Sequence, residues 1–371
     1  MTYTGTKISI DIERIPNELE NADWPLLIAG PCSAESEEQL VDTAVKLKNT
    51  KRVSFFRAGI WKPRTRPNSF EGIGVKGLPW MQTVKKETGF RIATEVANAE
   101  HVELALKYGV DLLWVGARTS ANPFSVQEIA DALKGSDVAV LVKNPVNPDV
   151  ELWIGALERI SKAGIKKLGA IHRGFSSYEK SVFRNLPMWN IPIELKAACP
   201  DLPIVCDPSH ICGNTELIPF IAQKSLDMEV NGLMIEVHNN PGCAWSDAKQ
   251  QLTPDQYGDL IYGLLLRSTS PMQNQAPTAL SKMREEIDLL DDEIIQKLSL
   301  RMKISEKIGQ YKKENNVTIL QMDRWSSIVG NRLNMGKAMG LSEDFLKKYL
   351  DLIHQESINI QSDVMNKRIR N

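Results

Sequence analysis

Along the first two thirds of the chain, short apolar runs alternate with longer segments in which apolar residues recur every third or fourth position. The runs occupy 26–29, 54–57, 91–95, 112–116, 138–143, 167–172, 203–207 and 232–237. Segments of helical period fill 37–48, 76–88, 99–108, 123–133, 150–163 and 214–226. Consecutive apolar positions mark a strand buried on both faces, as happens when helices cover both sides of a parallel sheet. Eight such units within roughly 250 residues predict an α/β fold, a (β/α)8 TIM barrel. An open, doubly wound sheet is the alternative, but no glycine-rich dinucleotide fingerprint follows any early strand.

The pattern changes after Arg267. Residues 268–277 are polar, hold two prolines and lack periodicity, so they read as a linker. Beyond it Leu280, Met283, Ile287, Leu290, Ile294 and Leu298 keep a three-and-four spacing that continues to about Lys313. That is one helix of roughly 50 Å at about 1.5 Å per residue. A second helix is expected from near Asp323 to around Gly340, and a third from the N-cap Ser342 past Gln361. A helix this long with two shorter companions cannot bury its own apolar stripe, which points to a homodimer formed through this region. Gly309 and polar insertions interrupt the heptads of a simple coiled coil. The expected organisation is a barrel over 1–266, a linker over 267–279 and an all-α three-helix domain over 280–371.

A formal net charge of −1 gives no overall field that would recruit nucleic acid or an anionic membrane. Any anion must therefore be bound by a local cluster. The five cysteines, Cys32, Cys199, Cys206, Cys212 and Cys243, form no CxxC and no regular framework, and read as reduced intracellular thiols. No run approaches transmembrane length and residues 1–7 lack an apolar signal core, so a soluble cytoplasmic protein is expected.

In a barrel the chemistry sits at the C-terminal ends of the strands, and the unusual residues fall there. The second run ends in Arg57-Ala58-Gly59-Ile60-Trp61-Lys62-Pro63-Arg64-Thr65-Arg66-Pro67, where two prolines stiffen a cationic loop. Arg118, Lys143 and Arg173 follow later runs, making with Arg57, Lys62 and Arg64 a ring of cations at one mouth. Such a ring would repel itself unless anions occupy it, and its size suits more than one phosphate plus a carboxylate. Salt bridges to helix-end acids are the competing explanation for any single cation. Cys32, His210, Glu236 and Asp247 fall at the first, seventh and eighth strand ends, which adjoin in a closed barrel. One sulfur, one nitrogen and two carboxylates suit Mn²⁺, Fe²⁺ or Zn²⁺ better than Mg²⁺. A metal able to polarise an aldehyde, beside a cradle for phosphorylated acids, implies an aldol-type condensation of two anions.

Taken in order, Gly30-Pro31-Cys32-Ser33, Arg57 with Lys62-Pro63-Arg64-Thr65, Gly116-Ala117-Arg118, Lys143-Asn144, His172-Arg173-Gly174, Asp207-Pro208-Ser209-His210 and the Glu236 strand resemble a known family. It is that of the 3-deoxy-D-arabino-heptulosonate 7-phosphate (DAHP) synthases, in their compact type Iβ form. The resemblance implies a divalent metal, Mn²⁺ first with Fe²⁺, Co²⁺ or Zn²⁺ as alternatives, held by Cys32, His210, Glu236 and Asp247. It implies phosphoenolpyruvate on Arg57, Lys62, Arg118, Lys143 and Arg173, and erythrose 4-phosphate on the Lys62–Thr65 loop, with Arg64 and Thr65 towards its phosphate. Lys62 and Lys143 are both candidates for the proton donor. The related octulosonate 8-phosphate synthases share several strand ends but carry a Lys-Ala-Asn-Arg type loop. Lys62-Pro63-Arg64-Thr65 favours the four-carbon aldose phosphate.

On the long helix Arg301 and Lys312 are separated by three turns plus about 20° and share a face, as Ser357 and Gln361 do on the last helix. The tail from about Leu280 to Val364 resembles the intertwined dimeric AroQ-type chorismate mutases through Met283-Arg284, Arg301, Gly309, Lys312, Ser357 and Gln361. The resemblance implies chorismate as substrate. Arg284 would reach into the partner's site, Arg301 would clamp a carboxylate, and Lys312 and Gln361 would donate to the ether oxygen. Trp325 stands where that family usually has a glutamate, and Gln321 at the preceding aspartate position. An indole donates a hydrogen bond but cannot accept one as a carboxylate does. The different-class alternative is a regulatory dimerisation module that binds without turnover. With 25 residues ahead of the first strand, too few for a ferredoxin-like regulatory domain, the tail is the expected seat of feedback by prephenate or chorismate.

Overall fold

A computed structural model describes residues 8–17, 25–63, 70–178, 180–267, 277–320 and 322–366, with side chains for all but 277–279 and 322–328. The chain divides into two compact units, Met1–Thr269 and Ser270–Asn371.

In the first unit, β1 (Leu26–Gly30), β2 (Phe55–Arg57), β3 (Arg91–Val96), β4 (Leu112–Val115), β5 (Ala139–Lys143), β6 (Leu168–His172), β7 (Ile204–Cys206) and β8 (Gly232–Glu236) form a closed barrel in sequence order. All pairs are parallel, and β1 closes on β8 from Leu26 opposite Gly232 to Gly30 opposite Glu236. Helices α1 (Glu37–Lys48), α2 (Gly77–Thr88), α3 (Ala99–Lys107), α4 (Pro123–Leu133), α5 (Val150–Lys162), α6 (Asn190–Ala198), α7 (Pro208–Cys212), α8 (Ile218–Asp227) and α9 (Pro254–Gly263) follow the strands. Several begin on short polar side chains that satisfy free amides of the first turn, as Ser36, Asn98, Asp149 and Thr253 do. The periodic segment at 214–226 becomes helical only from Ile218. Asn214 Oδ1 accepts from the amides of Glu216 and Leu217, which makes a turn there, and Pro219 then enters at the first helical turn. Helices α6, α7 and α9 were not anticipated, because Pro192 in the first and glycines in the last mask a short apolar face and α7 has only five residues.

The core has two parts. One fills the space between strands and helices; the other lies inside the barrel and includes Ile28, Phe55, Ala93, Trp114, Leu141, Ile171, Val205 and Met234. Side chains alternate along a strand. Two residues beyond each of these inward positions therefore lie Gly30, Arg57, Glu95, Gly116, Lys143, Arg173, Asp207 and Glu236 in the upper lumen. The lower end is stopped by Ile15, from the segment ahead of β1. A cavity of about 680 Å³ lies at that end, between Ile12–Ile15, Leu26, Pro203 and Asn231, on the face opposite the cations.

In the second unit, α10 (Pro277–Glu314) packs along α12 (Glu343–Asn366), and α11 (Met322–Ala338) also packs against α12. Ser342 Oγ accepts from the Phe345 amide and caps α12 as expected. Gly309 lets α10 approach α12, since a Cβ there would stand 3.0 Å from Gln361 Cα. Within this chain the stripe of α10 is uncovered: Met283, Ile287, Leu290 and Ile294 are 59%, 56%, 57% and 49% exposed.

Candidate active site

The barrel mouth gathers both predicted groups. Cys32, in the turn after β1, places Sγ 3.2 Å from Asp247 Oδ2 and 2.7 Å from Lys62 Nζ, which also donates to the Cys32 carbonyl at 3.1 Å. His210 Nε2, on α7, lies 3.8 Å from Glu236 Oε1, and Arg57 NH2 reaches the same oxygen at 3.3 Å. Glu236 Oε1 nonetheless has no hydrogen-bond donor and is fully buried. Among the described residues, no three acidic, cysteine or histidine side chains stand in finished ligand geometry. The Lys62 ammonium, with Arg57 farther off, supplies positive charge against the thiol. One sulfur, one imidazole and two carboxylates, with an orphaned buried oxygen among them, nevertheless fit a divalent transition metal.

The cations form the other half. Arg57 lies over the Trp114 ring at 4.8 Å and Lys143 Nζ at 5.9 Å, so one indole floors both. Lys143 Nζ bonds Asp207 Oδ2 at 2.8 Å, and Arg173 NH1 donates to Asn185 Oδ1 at 2.8 Å. Arg173 is further fixed through its amide, which donates to Asn144 Oδ1, while Asn144 Nδ2 donates to the Gly174 carbonyl. Arg118 is exposed, yet near enough that its charge bears on Arg173. Arg64 and Thr65 lie outside the described residues.

Burial and charge set the protonation states. Burial, with Glu236 next, pushes the Cys32 thiol up to about 12, so a thiolate there requires a compensating cation. Burial also favours the neutral forms of Asp207, Glu236 and Asp247, but it is outweighed. His210 and Lys143 hold Asp207 well below the usual carboxylate range, His210 and Arg57 hold Glu236 down, and Arg184 and Lys62 hold Asp247 down. Burial lowers His210 below an ordinary histidine despite Asp207 beside it at 2.8 Å. Burial, then the neighbouring Arg184 and Arg118, lowers Arg173 to about 10.

Glycines make room for this geometry. A Cβ at Gly116 would meet Glu95 Oε1 at 2.1 Å, and Glu95 Oε2 accepts from Trp114 Nε1 at 3.1 Å. A Cβ at Gly30, which has φ of +147°, would meet the Arg57 carbonyl at 2.1 Å. His172, first residue of His172-Arg173-Gly174, points away from the lumen and packs on Phe175 and Trp189. Sequence reasoning did not assign Asp207, Glu95, Trp114, Arg184, Asn185 or Gln250. Asp207 and Glu95 were visible as acids at strand ends. Arg184 and Asn185 sit in a loop and Gln250 in the three-residue 3-10 turn Ala248–Gln250, with no periodicity to mark them.

In the helical unit, Arg301 NH1 donates to Ser357 Oγ and to the Ile353 carbonyl, and Lys312 Nζ donates to the Ile319 carbonyl at 2.6 Å. Gln361 is buried with Oε1 unpaired, beside Gly309. Arg301, Ser357 and Gln361 thus gather on the α10–α12 seam, with Lys312 farther along α10. Arg284, exposed near the other end of α10, is not brought to them within this chain. The side chain of Trp325, and all of Gln321, lie outside what is described.

Comparison with known proteins agrees with both halves. The model of the DAHP synthetase I family matches residues 9–263, and that of chorismate mutase type II matches 283–362. A phospho-2-dehydro-3-deoxyheptonate aldolase of Thermotoga maritima is 32% identical over 235 residues, covering 63% of this chain and 67% of that protein. A 2-dehydro-3-deoxyphosphooctonate aldolase of Helicobacter pylori is 27% identical, covering 65% of this chain and 94% of that one. The crystal structure of the Thermotoga maritima DAHP synthase superposes with a TM-score of 0.59 at 29% identity, covering 67% of this chain and 72% of that one.

Proposed function

This chain belongs to the DAHP synthetase I family and carries a chorismate mutase domain behind the barrel, a bifunctional shikimate-pathway enzyme, and on that premise we propose how its own residues divide the work. Arg57, Lys143 and Arg173, with Arg118 at the rim, hold the phosphate and carboxylate of phosphoenolpyruvate over the Trp114 floor. Cys32, His210, Glu236 and Asp247 hold a divalent metal, Mn²⁺ before Fe²⁺, Co²⁺ or Zn²⁺. Bound there, the metal supplies Lewis acidity towards the aldehyde of erythrose 4-phosphate. The enzyme's cations keep both anions at reacting distance while C3 of phosphoenolpyruvate forms the new bond to the aldehyde carbon. Water adds at C2 and phosphate leaves with C–O cleavage. Lys62 is the better proton donor of the two lysines, because its ammonium lies among the metal donors whereas Lys143 is neutralised by Asp207. Arg64 and Thr65 take the erythrose phosphate. The observation that carries this reading is the meeting of the soft-to-hard donors and the cations at one rim, joined through Lys62.

In the tail, Arg301, Lys312, Ser357 and Gln361 bind chorismate in its folded conformer and stabilise the breaking C–O bond, which needs no nucleophile. The uncovered stripe of α10 and the isolated Arg284 support a homodimer in which Arg284 serves the partner's site. Prephenate acts through the tail to inhibit the barrel. Five free cysteines, four of them buried, support a cytoplasmic setting.

The test is a metal-reconstituted assay of phosphate release from phosphoenolpyruvate with erythrose 4-phosphate, run against arabinose 5-phosphate. Preference for the five-carbon aldose would reassign the barrel to the octulosonate reaction. Loss of chorismate absorbance that survives Lys312→Ala would remove the tail assignment. A chain ending at Arg267 that stays equally sensitive to prephenate would remove the feedback role.

A further inference from the structure

Two carboxylates of the donor set, Glu236 and Asp247, come from different segments, and each has two oxygens that could face the site. Something must select one oxygen of each. Gln250, 1% exposed, donates from Nε2 to Glu236 Oε2 at 2.7 Å. Its Oε1 accepts from Arg184 NH1 at 2.7 Å, and the same NH1 donates to Asp247 Oδ1 at 2.9 Å. The guanidinium can only donate and a carboxylate only accept, so the Gln250 amide has one workable orientation. The second oxygens are Glu236 Oε1, which has no hydrogen-bond donor and lies 3.3 Å from Arg57 NH2, and Asp247 Oδ2, which faces Cys32 Sγ at 3.2 Å.

We propose that Arg184 and Gln250 are positioning residues, a bracket that ties back one oxygen of Glu236 and one of Asp247 so that the other two are presented together with Cys32 and His210. The proposal rests on the metal-site reading above and adds to it the residues that aim the donors. The bracket is anchored to the element that carries His210. The Arg184 amide donates to the Cys212 carbonyl at 3.3 Å and the Asn185 amide to that of Ile211 at 3.1 Å. Gly213, at φ +70°, leaves the space for this, since a Cβ there would stand 2.6 Å from Arg184 Cβ. The neighbouring Asn185 points the other way, accepting from Arg173 NH1 at 2.8 Å and donating to the His210 carbonyl at 2.6 Å. One dipeptide thus indexes the donors against a cation of the anion cradle.

The test uses the full chain, cobalt(II) as the probe metal, and the variants Gln250→Met and Arg184→Lys. Gln250→Met keeps the side-chain length and removes both hydrogen bonds. Arg184→Lys, at a half-exposed position, keeps the charge but replaces the planar guanidinium by a compact ammonium on a flexible stem. Each variant is measured for cobalt affinity, for its ligand-field spectrum and, metal-free, for its melting temperature. The expected result is about a 10- to 100-fold weaker cobalt Kd for Gln250→Met. Its spectrum should be altered, and Arg184→Lys should shift in the same sense by less. Lower melting temperatures with affinities within twofold of wild type and superimposable spectra would mean a structural role only and overturn the bracket. A wild-type chain that takes up no cobalt would overturn the donor-set reading and the bracket with it. A wild-type chain that binds cobalt beside variants that match it overturns the bracket alone.

Discussion

Replacing Asp207 by asparagine isolates what burial does to an ion pair in this barrel. Asp207 Oδ2 is 2.8 Å from Lys143 Nζ, with side chains 0% and 5% exposed. Lys134 and Asp131 make an equally short pair at 2.7 Å, but with side chains 64% and 52% exposed. Distance cannot distinguish them; solvent can. An exposed pair contributes about 0–1 kcal/mol, because water screens it and two long side chains must be ordered. Removing one partner of a buried pair costs about 3–5 kcal/mol, because the remaining charge is left without compensation. In Asp207→Asn the Lys143 ammonium loses its counter-charge and faces at most a neutral amide oxygen, with the Trp114 ring at 5.9 Å. Denaturant unfolding of the metal-free barrel at neutral pH should therefore show a loss of about 3–5 kcal/mol for Asp207→Asn and a far smaller change for Asp131→Asn. Adding Lys143→Met to Asp207→Asn should recover much of the loss, since the stranded charge is then gone. The pH dependence has a definite sign. Asp207 is held well below its unfolded value by His210 and Lys143 against the opposing effect of burial. Its contribution is thus complete above the unfolded pKa, about 4, and is lost as pH falls through the lower folded value. Asp207→Asn should accordingly flatten the acid limb of the stability curve. A loss below about 1 kcal/mol, with the acid limb unchanged, would refute the claim that burial makes this pair matter.

Three further outcomes follow from the same geometry. Gly309→Leu should push α10 from α12, because a Cβ would already stand 3.0 Å from Gln361 Cα; chorismate turnover should fall at least about tenfold while phosphate release by the barrel persists. Burial and Arg173 hold His172 down to about 3, so it is neutral throughout the working range; His172→Phe should leave the shape of the pH–rate profile unchanged and cost under about 1.5 kcal/mol. Gly116→Ala would drive Glu95 off Trp114, since the added carbon meets Glu95 Oε1 at 2.1 Å; a loss of about 1–3 kcal/mol is expected from thermal unfolding.

The barrel was legible because its strands are apolar on both faces, so Leu26, Phe55, Leu112 and Leu233 announced themselves without reference to anything distant. The site was legible for a related reason. Arg57, Lys143, Arg173 and Glu236 continue the inward alternation of their strands beyond the apolar layer, and a charge at such a position stands out. Closure of β1 on β8 then brings Cys32 near Glu236, which the order of elements alone implies once eight strands are counted. What stayed hidden lies in the loops. Gln250 and Arg184 are separated by 66 positions, and nothing local in either loop records that one bonds the other. Helix α6 was missed because Pro192 and a mixed face obscure its period, and α7 because a helix of five residues is too short to show one. In the tail, α10 announced an unburied stripe by its own spacing, whereas the contact of Gly309 with Gln361 needed the third dimension.

The central claim, that the metal donors and the anion cradle are one site, is tested most directly by anomalous diffraction from crystals soaked with Mn²⁺ and phosphoenolpyruvate. The account predicts a single manganese peak bounded by Cys32, His210, Glu236 and Asp247, with the phosphate and carboxylate of the ligand on Arg57, Lys143 and Arg173 beside it. Manganese bound away from those four side chains, or phosphoenolpyruvate seated in the cavity at the opposite end of the barrel, would contradict it.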